Sequence, residues 1–163
     1  MKNVYLDLDG VFADFESAVL EKTGLMFKHG HGEQIFSILQ DVPNFFKTLS
    51  PLPCSRPFIE DLLRLAPTAS ILTAMPRPTG HFVTTEEDKK WWVNNILEVD
   101  IPVICTPGWQ GKLKYVKSEN DILIDDAFRN VDAWRQKGGT GIWHWGWQSN
   151  NHTINQLREV LDK

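Results

Sequence analysis

The chain has only two cysteines, Cys54 and Cys105, in 163 residues. That is too few for a disulfide framework and suits a reducing cytoplasm. Cys105 closes the apolar run Ile101 to Cys105 and reads as a small buried hydrophobe. No apolar run approaches the ~20 residues that a membrane-spanning helix needs. A secretory signal is missing as well, because Met1-Lys2-Asn3 passes straight into a strand-like segment. The expectation is a soluble cytoplasmic protein with no membrane partner. Positive charge is scarce: 17 lysines and arginines against 21 acidic residues give a formal net charge of -4. Such a chain has no general attraction for a nucleic acid polymer, whose binding draws on released counterions. A small anion remains an open partner, since it needs only a local group of cations and amides. Internal repeats, low-complexity tracts and long linkers are also lacking, so residues 1–163 predict one domain. The oligomeric state is left open.

What is present is a globular composition, 42% hydrophobic and 23% charged. Val4 to Leu8 reads as a strand running into a tight turn at Gly10, and Phe12 to Lys22 has helical apolar spacing. A short helix is expected over Ile35 to Leu39 and another over Phe58 to Leu65. Ala69 to Leu72 predicts a buried strand ending at Thr73. Thr84-Thr85-Glu86-Glu87 has the form of a capping box, opening a helix with Trp91, Trp92, Val93, Ile96 and Leu97 inward. Strands over Pro102 to Cys105, Asp121 to Ile124 and Thr140 to Trp145 alternate with helices over Gly111 to Lys117 and Val131 to Gln136. Thr153 and Gln156 read as the cap of a terminal helix. Strands alternating with amphipathic helices imply βαβ crossovers: an α/β, Rossmann-like parallel sheet covered on both faces. Residues 12–55 are irregular by comparison and read as a small helical insertion packed over the strand ends.

In such a sheet, ligands sit beyond the carboxyl ends of the strands. Polar chemistry is expected there at Asp7 to Gly10, at Thr73 and at Asp125-Asp126. Asp7 and Asp9 share a side of the strand end, because side chains repeat every second residue. Any one aspartate could simply cap a turn. Two pairs at strand ends along the same edge concentrate negative charge, which is costly without a cation or a shared proton. Carboxylates without cysteine or histidine companions favour a hard cation, magnesium where phosphate is the substrate.

These motifs resemble the haloacid dehalogenase superfamily of phosphohydrolases. Asp7-Leu8-Asp9-Gly10-Val11 is similar to its first motif, Thr73 to its second, a lysine before the fourth strand to its third, and Ile124-Asp125-Asp126 to its fourth. Within the superfamily, the run Asp7 to Glu16, with Trp92-Val93, Ile104-Cys105-Thr106-Pro107 and Asp121 to Asp126, looks like the 5'(3')-deoxyribonucleotidases. The resemblance implies a magnesium-dependent phosphatase acting on a small phosphorylated substrate, a deoxynucleoside monophosphate, with residues 12–55 as a shortened cap. Asp7 would attack phosphorus and Asp9 would serve as acid and then base. Magnesium would be held by Asp7, the Asp9 carbonyl and Asp126, with Asp125 in support. Thr73 would donate to a phosphoryl oxygen, main-chain amides after the first motif would form an anion nest, and Gly10, Ala74 and Phe15 would contact substrate. The third-motif lysine is Lys112 by its spacing before Tyr115-Val116, with Lys114 as rival.

An acid at Asp9 suits an alkoxide leaving group and argues for phosphatase over dehalogenase. Phe45-Phe46, Arg77 and His81 are further pocket candidates, while His29 and His31 resemble a metal site only superficially. Trp143, Trp145 and Trp147 alternate as packing residues would. Two other readings stay open: a phosphatase of another small monoester such as a sugar phosphate, and a non-catalytic phosphate-binding regulatory module.

Overall fold

The β-formers Val4 and Tyr5 build β1 (Asn3–Leu6), the middle strand of the sheet. The computed structural model describes residues 1–145 and 149–163. Four further strands follow: β2 (Ser70–Met75), β3 (Val103–Pro107), β4 (Asp121–Asp125) and β5 (Thr140–Trp143). Their order is β3-β2-β1-β4-β5, and every pairing is parallel. Leu6 registers with Ile71 on one side and Ile124 on the other, so the carboxyl ends of β1, β2 and β4 reach the same edge. The chain order reverses across β1 and β4, which is where open parallel sheets leave a crevice for ligands.

Helices α1 (Phe15–Thr23) and α2 (Gly32–Leu39) lie in the 12–55 insertion. The others are α3 (Ser55–Leu65), α4 (Thr85–Trp92), α5 (Phe128–Gln136) and α6 (Asn150–Leu161). Side-chain alternation divides the core between the two sheet faces. Val4, Leu6, Ile71, Ile122 and Ile124 join a large cluster with α3, α6 and the insertion. Leu72 and Leu123, with Tyr5 beside them, join a smaller one with Trp134 and Val116. The insertion leaves and rejoins the core at one place: Phe12 O accepts from Leu52 N and from Ser55 Oγ, each at 2.7 Å.

Several local expectations are corrected. β1 stops at Leu6 because Leu8 O draws in the amides of Phe12 and Ala13 (2.9 and 3.1 Å), coiling the chain into a turn. α1 therefore starts at Phe15, where Asp14 Oδ1 accepts from Ser17 N at 3.2 Å. The capping box at Thr84 does not form. Residues Gly80–Thr84 already turn as a 3-10 helix, and the Thr84 hydroxyl bonds Asp88 and the His81 carbonyl instead of an amide. Trp91 is exposed, with Lys47 Nζ 4.7 Å from its ring centre, while Trp92 turns inward. The segment Trp109–Tyr115 is a 3-10 helix rather than an α-helix. α6 begins a turn earlier than expected, capped by Ser149, so Thr153 lies inside it and its Oγ1 sits 2.7 Å from His144 Nδ1. Cys105 is half-buried and Cys54 exposed. Trp143 is half-buried between Phe128 and the exposed Trp145, and Trp147 lies outside the described residues.

Candidate active site

Asp7 follows β1, and its amide donates to Ile124 O at 2.9 Å, which extends the ladder by a residue and sets Asp7 beside Asp125. Both have the parity of Tyr5 and Leu123, so both face the smaller cluster, where Trp109–Tyr115 packs. From that segment comes Lys112, buried to 2% exposure, with Nζ 2.8 Å from Asp7 Oδ1 and 2.7 Å from Asp125 Oδ2. Burial works against its charge, yet Asp7 and Asp125 together raise its pKa above the ordinary lysine value. Lys114, the rival, is exposed.

The three carboxylates differ in what holds them. Asp125 is saturated: Oδ1 accepts from Ala127 N (2.9 Å) and Asn130 Nδ2 (3.1 Å), Oδ2 from Lys112 and again from Asn130 (3.0 Å). Asp7 Oδ1 accepts from Leu8 N at 2.8 Å as well as from Lys112, and its Oδ2 has no donor among the described residues. Burial, then the Asp125 charge, pushes Asp7 up to about 7 against the pull of Lys112. Asp126 has no side-chain donor among the described residues, and burial followed by the Asp7 and Asp125 charges raises it well above the usual carboxylate range. Gly10 makes room for it, at φ +82, because an added Cβ would stand 2.0 Å from Asp126 Oδ2.

Asp7, Asp125 and Asp126 each offer an oxygen within 4.8 Å of the others. One lysine cannot balance three carboxylates, and raised acid pKa values are the electrostatic sign of that excess. All-oxygen donors around uncompensated negative charge fit a hard divalent cation such as magnesium.

On the other side of the turn, Asp9 Oδ2 meets Lys89 Nζ at 2.6 Å. The same ammonium donates to Thr73 Oγ1 (2.8 Å) and Ala74 O (2.9 Å) and stands 4.6 Å from the Phe46 ring centre. Asp9 Oδ1 is buried without a partner among the described residues. Thr73 is fully buried and lies within β2, which runs on to Met75.

The expected nest of amides is not displayed. Gly10 N donates to Ala13 O at 2.9 Å, and the amides of Val11, Phe12 and Ala13 all turn to Leu8 O. Phe15 packs against Phe27, Phe36, Phe45 and Phe46 at centroid distances of 5.2 to 6.5 Å. Arg77, His81, His29 and His31 are exposed, and the His81 amide donates to Gln40 O at 2.8 Å. Sequence reasoning missed Lys89 and Asn130. Lys89 falls on the same helical face as Thr85 and Trp92, a spacing that places it inward; Asn130 lies in the first turn of α5, five residues after Asp125.

This arrangement has the fold of the haloacid dehalogenase (HAD) hydrolases. Among solved structures, a hydrolase from Streptococcus pneumoniae is 16% identical, with a TM-score of 0.52 and all of both chains covered. A HAD family enzyme from Bacteroides thetaiotaomicron, in complex with magnesium and inorganic phosphate, is 14% identical with a TM-score of 0.54, covering 93% of this chain and 98% of that one. A HAD-superfamily hydrolase from Ehrlichia chaffeensis is 10% identical with a TM-score of 0.52, covering 99% of each chain. At these identities the likeness establishes the fold. No protein-family model matches this chain, and no curated protein matches it.

Proposed function

We propose that the protein is a magnesium-dependent phosphatase that hydrolyses nucleoside monophosphates, deoxyribonucleotides by preference, through an aspartyl-phosphate on Asp7. The observation that carries this reading is the state of Asp7: Oδ1 pinned by Leu8 N and Lys112, Oδ2 without a donor, Asp126 alongside. A carboxylate held by one oxygen presents the other as a nucleophile in fixed orientation. The Bacteroides thetaiotaomicron enzyme of the same fold binds magnesium with inorganic phosphate, in keeping with the acidic group here.

Asp7, Asp126 and the Asp9 carbonyl are the ligands we assign to magnesium, with Asp125 and Asn130 as the support behind them. The bound cation would supply positive charge between an anionic nucleophile and an anionic phosphate. Lys112 steadies Asp7 and faces the same phosphate. Asp7 bonds to phosphorus as the ester oxygen leaves, and Asp9 protonates that oxygen. Water then attacks the aspartyl-phosphate while Asp9 takes its proton, releasing phosphate and the Asp7 carboxylate. Thr73 Oγ1 accepts from Lys89, so its own proton is free to point at a phosphoryl oxygen.

Residues 12–55 act as the cap, with Phe15 and Phe46 facing the sugar or base. A flat apolar surface accepts deoxyribose and leaves a ribose hydroxyl unpaired. Mutual packing of the phenylalanines favours a second reading, in which the rings fill the cap and the substrate is another small monoester such as a sugar phosphate. Phosphate release from deoxynucleotides, ribonucleotides and hexose phosphates, with magnesium or with chelator, tests both. Magnesium-stimulated release highest on deoxynucleotides is expected. Preference for hexose phosphates selects the second reading, and no release from any ester refutes the phosphatase.

A further inference from the structure

We infer that Lys89 is a positioning residue for acid–base catalysis, anchoring Asp9 Oδ2 so that Asp9 Oδ1 alone exchanges protons with the leaving group and with water. This rests on the phosphatase reading above.

Lys89 is 1% exposed, a burial that an ammonium tolerates only when its donors are matched. It has three N–H donors and three acceptors within reach: Asp9 Oδ2 at 2.6 Å, Thr73 Oγ1 at 2.8 Å and Ala74 O at 2.9 Å. Phe46, from the insertion, covers it with a ring 4.6 Å from Nζ. The ammonium is thus a fixed point between the turn after β1 and strand β2, joined to a side chain on each.

The two oxygens of Asp9 are consequently unlike. Oδ2 is tied to Lys89, while Oδ1 is buried and has no partner among the described residues. A buried polar atom left unpaired is costly, and such atoms are found where a ligand or reacting group completes them. In the first half-reaction the Asp7 oxygen bonds to phosphorus, the P–O bond to the leaving group breaks, and the proton on Asp9 Oδ1 passes to that oxygen. Negative charge then grows on Asp9 beside the Lys89 ammonium, which is already oriented to receive it. In the second half-reaction water attacks phosphorus, its proton goes to Oδ1, and Asp7 departs as a carboxylate. Lys112 does for Asp7 what Lys89 does for Asp9.

The test is kcat/KM of Lys89→Met across phosphate monoesters running from alkyl esters to p-nitrophenyl phosphate, whose leaving group needs no proton. A positioning role predicts a loss of about 10²-fold or more on alkyl esters and only roughly a few-fold on p-nitrophenyl phosphate, the pattern of impaired acid catalysis. In an Asp9→Asn background, Lys89→Met should add little further loss on alkyl esters. Equal losses on all esters, no loss at all, or additive losses in the double variant would each overturn the inference. If Lys89→Met does not fold, Lys89→Arg, which keeps the charge but not the match of three donors to three acceptors, should show the same leaving-group dependence in weaker form; a loss uniform across esters would count against the inference. A wild-type protein inert toward every ester ends the phosphatase reading itself, whereas a uniform loss in an active enzyme ends only the role of Lys89.

Discussion

The floor of the site and the insertion above it are built on opposite principles. On the floor, Asp7, Asp125, Lys112 and Asn130 are linked by directional hydrogen bonds that specify each atom. In the insertion, Phe15, Phe27, Phe36, Phe45 and Phe46 meet ring to ring, several of them edge-on, so that ring contacts rather than hydrogen bonds between side chains hold them. Directional networks hold geometry and tolerate little change; apolar clusters hold volume and can repack. On the proposed function, turnover would reside in the floor and preference among esters in the insertion. Lys89 and Phe46 are the place where the two touch.

Four substitutions would break or sharpen this contrast. The largest effect is expected from Asp7→Asn, which removes the proposed nucleophile and should bring steady-state phosphate release to background on every ester. Asp9→Asn should follow, with a loss of about 10²–10⁴-fold on poor leaving groups, measured as kcat/KM. Asn130→Ala comes next. It strips donors from both oxygens of Asp125 and should weaken magnesium activation by roughly 10–100-fold, read by titrating the metal at saturating ester. Phe15→Ala should change the ratio of kcat/KM between deoxynucleotide and hexose phosphate by about 10-fold or more while p-nitrophenyl phosphate changes least. If Phe15→Ala lowered turnover uniformly, the division of labour between floor and insertion would fail.

A smaller effect concerns pH. Asp7 folds with its pKa raised to about 7 and Asp126 is raised in the same direction, so the folded protein binds protons that the unfolded chain has released. Without metal, stability is thus greatest at acid pH as far as these groups go, and it declines as pH rises from the ordinary carboxylate range through about 7. Magnesium rewards the ionised form, so its stabilising effect should grow over the same interval. Thermal unfolding with chelator and with magnesium at several pH values measures this, and a metal effect independent of pH would contradict it.

Much of the floor was legible in the sequence because it follows short-range rules. Apolar runs ending in aspartate marked the strand ends, so the parallel sheet and its acidic edge could be read directly, whereas period-two alternation did not carry through Asp9, because β1 ends at Leu6 and the turn sends Asp9 to Lys89. The family resemblance favoured Lys112 and left Lys114 as a rival, and of the two Lys112 is buried and Lys114 exposed. Lys89 was not legible for the opposite reason: its partners lie 80 and 16 residues away, and a lysine next to Lys90 on a charged helix looks solvated. The capping residues of α4 and α6 misled because a hydroxyl beside a helix has several acceptors to choose from. Thr84 found Asp88 and Thr153 found His144, both contacts that tertiary packing supplies.

The most direct measurement is to trap the covalent intermediate. Rapid quenching of the enzyme during turnover, followed by borohydride reduction and peptide mass spectrometry, should find homoserine in place of Asp7, since borohydride reduces an acyl phosphate and spares a free carboxylate. Reduction confined to Asp7, dependent on magnesium and ester and absent from Asp7→Asn, is the predicted result. An active enzyme whose Asp7 is never reduced, or whose phosphoryl group is found on another residue, would contradict the account.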